Sequence, residues 1–184
     1  RSGMGEDETV FAVVARYQYD ADDPAVYDGG EAPDMPRYAV VWAEATEPTE
    51  GAILAAAQQA RQVFGRVHSA TAEQWQMLDL YRKWGEALGC CAVLEHASAE
   101  HQAEAFNTLW QLVNEGRFSY SAGLGRLHQQ LAGFTIDQTG RLPRFTGGSG
   151  GAVDDWVYAV CWARVAAGRA HGPAKLQTSL FYRQ

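Results

Sequence analysis

Thr9-Val10-Phe11-Ala12-Val13-Val14-Ala15-Arg16-Tyr17-Gln18-Tyr19 is a run of β-branched, aromatic and small apolar residues whose only charge is Arg16. Branched side chains crowd the turns of a helix but stand clear of one another on a pleated surface, so this run predicts a strand. Asp20 to Pro36 follows, rich in Asp, Gly and Pro, and reads as a loop. Tyr38 to Ala45 (YAVVWAEA) reads as a second strand, which makes the pair a hairpin with a long acidic tip.

Beyond the hairpin the apolar spacing changes from two to three and four. Thr49 to Phe64 predicts a helix, with Ile53, Leu54, Ala57, Ala60 and Phe64 on one side and Thr49 as its cap. Arg66 to Ser69 is a candidate short strand. Thr71 to Leu88 predicts a long amphipathic helix through Trp75, Leu78, Tyr81 and Leu88, stopped by Gly89. Cys90 to Glu95 reads as a strand, Ala99 to Asn114 as a helix ended by Gly116, and Arg117 to Tyr120 as a strand. Gly123 to Phe134 is a helix, Leu142 to Phe145 a brief extended piece, and Ala152 to Ala166 the last long helix. The Gly/Pro-punctuated tail from Gly168 is expected to cover one edge. A hairpin followed by helix–strand units predicts a single α/β domain, a mixed β-sheet with helices on both faces. Its 184 residues suit one core rather than two. Arg1-Ser2-Gly3, ahead of Met4, reads as an appended remnant, so the domain is taken as 4–184.

Composition narrows the chemistry. No apolar stretch approaches the roughly 20 residues that span a bilayer, and no GxxxxGK[ST] loop occurs, so neither a membrane nor a P-loop nucleotide is expected. Cys90, Cys91 and Cys161 form no C-x-x-C pair and read as free thiols of a reducing cytosol. Net charge is −7, and it is uneven: residues 1–50 hold twelve acids against three arginines, leaving +2 for the remainder. The chain therefore lacks the broad basic face of a tight nucleic-acid binder. The acidic stretch from Asp20 misses the glycine that a twelve-residue calcium loop needs at its sixth place, where Ala25 stands, and reads as a solvated tip. Glu95-His96, Glu100-His101 and Glu104 lack zinc-site spacing and read as a solvated face. Trp156, Val157, Val160 and Trp162 read as a core stripe.

One stretch carries candidate chemistry. Asp154-Asp155-Trp156-Val157-Tyr158-Ala159 sets two carboxylates at the start of an apolar helix, directly after Gly147-Gly148-Ser149-Gly150-Gly151. It is preceded by Asn114-Glu115-Gly116-Arg117-Phe118 and by Leu127-His128-Gln129-Gln130-Leu131-Ala132-Gly133-Phe134. In this order, over residues 99 to 166, the three runs resemble the C-terminal nuclease domain of phage terminase large subunits. That family has a "gRl" turn after a helix, an "L..EL..F" helix, and a Gly/His-rich loop into "DD..DA". The resemblance implies an RNase H-like fold and metal-dependent cleavage of duplex DNA during genome packaging, in the cytoplasm of an infected host cell. It also implies carboxylates from the first strand, a later central strand and the last helix, holding two Mg²⁺ or Mn²⁺ ions about 4 Å apart.

Carried over residue by residue, the helix acids are Asp154 and Asp155, and the family's next acid falls on Tyr158. Val13 to Tyr17 and Val67 to Ser69, where the strand acids belong, contain none. Asp20 is the nearest substitute, with Glu95 available only in a shifted register. Arg141 and Arg144, just before the glycine loop, are the expected phosphate contacts, since a guanidinium fork matches phosphate oxygens. His128 with Arg126 is a second candidate for the same role. The implied partners are double-stranded DNA, held weakly by this domain alone, and other packaging-motor components. The alternative expectation is a degenerate RNase H-like domain, catalytically inactive, serving as a docking or assembly module.

Overall fold

The computed structural model describes residues 8–17, 36–73, 80–137, 139–141, 143–146, 154–169 and 177–183, the last segment by its backbone. The elements run β1 (Thr9–Tyr17), β2 (Arg37–Thr46), α1 (Glu50–Phe64), β3 (Val67–Glu73), α2 (Tyr81–Leu88), β4 (Ala92–Glu95), α3 (Ala99–Asn114) and β5 (Phe118–Tyr120). They continue with α4 (Gly125–Gly133), β6 (Thr135–Asp137), β7 (Arg144–Thr146), α5 (Asp155–Arg169) and β8 (Gln177–Arg183). The fold is mixed α/β. A six-stranded sheet has the order β4-β3-β8-β1-β2-β5, and β6 pairs with β7 in a separate antiparallel ribbon. Within the large sheet β1 is antiparallel to both neighbours, whereas β3, β4 and β8 run parallel, as do β2 and β5.

β1 is the keel of the core. Residues Val10 to Ala15 are fully buried because both faces of the strand are covered. Val10, Ala12 and Val14 pack under α3, α4 and α5; Phe11 and Val13 pack under α1 and α2 against Ile53, Trp84 and Leu88. Helix α5 lies mainly across β1 and β8 and is buried over most of its circumference, Val157 and Trp162 completely and Trp156 nearly so. Helix α1 begins where Thr49 Oγ1 accepts the Ala52 amide at 3.3 Å. Helix α2 sits so close to β4 that a Cβ on Gly85 would stand 2.9 Å from the Cys90 carbonyl oxygen.

Two expectations are corrected. The helix anticipated over Thr71–Leu88 does not begin at Thr71, because β3 continues through Thr71 and Ala72 to Glu73; among the described residues the helix spans Tyr81–Leu88. Those residues gain strand partners on both sides, β4 and β8, and Ala70, Thr71 and Ala72 are buried there. The tail does not cover an edge: β8 is a central strand between β1 and β3. Smaller differences are β6, which periodicity did not show, and α5 reaching Arg169 rather than Ala166. The hairpin tip lies outside the described residues, as do Trp75, Leu78 and the glycine loop.

Candidate functional site at the start of the last helix

Asp155 is the first residue of α5, and it is only 2% exposed. Its Oδ2 accepts the backbone amide of Glu8, immediately before β1, at 2.7 Å. The Glu8 carboxylate turns back onto the same helix: Oε2 accepts from Trp156 Nε1 at 3.0 Å and contacts Arg126 Nε at 3.0 Å. Gln130 completes the cap, its Oε1 accepting the Trp156 amide at 2.9 Å. Free amides at a helix start need acceptors, and a carboxylate there also meets the positive end of the helix dipole. Two of the three sequence runs therefore meet: Leu127–Phe134 supplies Gln130 to the helix that Asp154-Asp155 opens. Leu127 of α4 is fully buried in the core that also holds Trp156. The third run sits apart, at the start of β5. Gly116 takes φ +63°, and Arg117 reaches the Pro36 carbonyl oxygen from Nη2 at 2.8 Å and from Nε at 3.2 Å.

Asp154 is half-buried, one residue ahead of α5. Arg144 is exposed on β7 opposite Asp137, and its neighbour Phe145 accepts from Tyr158 Oη at 3.3 Å, so β7 borders the first turn of α5. Arg141 is exposed in the bend before β7. The Asp137 carboxyl is held below its ordinary value by the Thr139 hydroxyl and amide at 2.7 and 2.9 Å, with Arg144 adding to the effect. Asp20 lies outside the described residues; Tyr17, the last described residue before it, stands at the far end of β1 from Glu8, about 30 Å away at strand rise. Arg126 is engaged by Glu8, and exposed His128 shares a hydrogen bond with Tyr120 Oη at 2.9 Å.

Tyr158, the position at which the resemblance leads one to expect a further acid, is packed among aromatic rings. It is 9% exposed and meets Phe106 edge-on at 4.6 Å, with Phe134 beyond at 6.4 Å. A carboxylate among those rings would lose its hydration.

Glu95 is also a correction. Instead of a solvated face it is 5% exposed, with Arg169 Nη1 against Oε1, Arg169 Nη2 donating to Oε2 at 3.2 Å, and His101 Nδ1 3.7 Å from Oε2. Arg169 ends α5 and Asp155 begins it, about 21 Å apart along the axis. Glu95 belongs to an ion cluster at the other end of the helix. Spacing alone did not reveal it, because the partner Arg169 is seventy-four residues away.

The donors fit a pair of divalent ions incompletely. Asp155 Oδ2 holds an amide, the Glu8 carboxylate is taken by Arg126 and Trp156, and among the described residues no three His, Cys, Asp or Glu side chains converge as a metal-ligand group. Of the expected ligands, the described residues show Asp154 and Asp155 together at the helix start, and Asp20 lies outside them. Among the described residues, too, no helix is long and apolar enough to cross a membrane. No protein-family profile, curated protein or solved structure matches the chain.

Proposed function

We propose that this α/β domain is of the terminase nuclease type, an RNase H-like unit that cuts duplex DNA with Mg²⁺ or Mn²⁺ during genome packaging in an infected cell. The observation that supports this most is the anchoring of the Asp154-Asp155 turn: an acid pair, Asp155 buried and Asp154 half-buried, braced by Gln130 and Glu8 at the start of the helix that lies on the central strands. Bound ions would supply Lewis-acid chemistry at the phosphate. The chain's own residues hold and orient. Gln130 and the Glu8 amide fix the turn, Asp154 presents the less buried carboxylate, and Arg141 and Arg144 steady the strand from the neighbouring ribbon. Glu8, beside Asp155, is the candidate for a further ligand, whereas the expected ligand Asp20 follows Tyr17 at the other end of β1.

A second reading has its own support. Tyr158, closed among aromatic rings where an acid was expected, favours a domain that has kept the scaffold and lost hydrolysis, and that docks onto other packaging components. Supercoiled plasmid incubated with micromolar protein and Mn²⁺ separates the two. Nicking or linearisation that disappears in Asp154→Asn, and weakens in Glu8→Gln, supports the nuclease and names Glu8 as its partner acid. An intact plasmid, together with no heat when Mn²⁺ is titrated into the protein, removes the enzyme and leaves the docking module.

A further inference from the structure

Between α3, α4 and the β6–β7 ribbon lies a cavity of about 120 Å³, with Phe106, Leu109, Trp110, Tyr120, Phe134 and Phe145 in its wall. Its rings brace one another. Phe145 stacks on Phe106 at 5.0 Å and on Phe134 at 6.3 Å, and Tyr158 supports Phe106 from the side. Rings held on two sides do not turn inward to fill the space without losing those contacts, so the cavity persists. Its mouth is marked by Trp110 and Val113, 53% and 41% exposed.

We propose that this cavity binds a small apolar ligand the size of one aromatic ring, carrying at most one polar substituent. An apolar cavity of about 150 Å³ stays dry and accepts benzene, so the volume here matches a single ring. Coenzymes and drug-sized ligands need roughly 300 Å³ or more and do not fit. The named wall side chains are hydrocarbon except for Trp110 Nε1 and Tyr120 Oη. Tyr120 Oη is bonded at 2.9 Å to exposed His128, which puts the polar pair at the rim. One hydroxyl on a ligand can join that pair. A nucleobase, whose edge needs several hydrogen bonds, would be left with most of them unmade. The site does not depend on whether the Asp154-Asp155 turn cuts DNA.

The test titrates benzene, phenol and cytosine into the full chain, following tryptophan fluorescence and Tm, with Trp110→Phe assigning the optical signal. Benzene and phenol near their solubility limits should raise Tm by about 3–5 °C, and cytosine should not. His128→Ala should weaken phenol about five-fold and leave benzene unchanged. Leu131→Trp, which fills the cavity, should abolish both shifts; if it fails to fold, Val113→Trp at the mouth serves instead. No Tm change with benzene overturns the proposal, as does an equal shift in the filled variant. A larger shift with cytosine than with benzene overturns the ligand class.

Discussion

Replacing Asp155 by Ala tests whether this acid holds the fold together or is kept at the fold's expense. The carboxylate is almost wholly buried and accepts the Glu8 amide at 2.7 Å, a charge-assisted bond at the short end of its range. Removing such an acceptor costs about 1.5–3 kcal/mol, since the amide loses its partner in a part-buried place. Loss of negative charge from the first turn of α5 adds about 0.3–1 kcal/mol. Roughly 2–4 kcal/mol is therefore expected for Asp155→Ala, a fall in Tm of about 5–15 °C for a domain of this size. Asp155→Asn keeps an acceptor and drops only the charge, and should cost about half as much. Urea unfolding measures both, and the midpoint should move with the slope unchanged. The sign is decisive. An acid retained only for function destabilises its surroundings, and its removal is neutral or stabilising. A midpoint for Asp155→Ala at or above the wild-type value would refute the bracing role assigned here.

Gly85→Ala should destabilise by about 1–3 kcal/mol in thermal unfolding, because the new methyl meets a backbone oxygen at 2.9 Å. Gly51→Ala in α1, with nothing within 4 Å, should instead stabilise by about 0.5–1 kcal/mol. Arg169→Ala leaves the Glu95 carboxylate buried with His101 at 3.7 Å, and roughly 2–4 kcal/mol should be lost. Adding Glu95→Gln should recover part of that loss, and a double-mutant cycle with no coupling would show the pair to be energetically idle. Burial pushes the Cys161 thiol up to about 12 from an ordinary 9.0, outweighing the opposing effect of Arg164, and pushes Cys90 up to about 11 with Cys91 adding to it. In each case the native state keeps the proton longer than the unfolded chain. Stability is then whole below pH 9 and should fall as pH rises toward 12, by up to about 1.4 kcal/mol per pH unit for each thiol. Denaturant midpoints across that window should fall less steeply in Cys161→Ala.

Most of the architecture was legible where a pattern is local. β1 announced itself by an apolar run with one charge, α1 by its stripe and its Thr49 cap, α3 by its apolar spacing and the stop at Gly116, and the core role of Trp162 by its spacing. The failures lie where neighbours distant in the chain decide. Thr71 and Ala72 fit a helix pattern as well as a strand pattern, and only the two flanking strands select between them. β8 is a short run after a Gly- and Pro-rich stretch, and its central place depends on pairing with residues more than 160 positions earlier, from Arg183 to Val10.

The same division holds at the candidate site. The chain's own order of residues set the acid pair at the start of a helix, since a glycine-rich approach and an apolar run behind it need no other partner. It could not show that Asp155 would be spent on the Glu8 amide, that Gln130 would cap the turn, or that Tyr158 would close an aromatic cluster. Those outcomes arise from elements that meet only once the sheet has formed, because hydrogen bonds and burial depend on distance in space and not on distance along the chain.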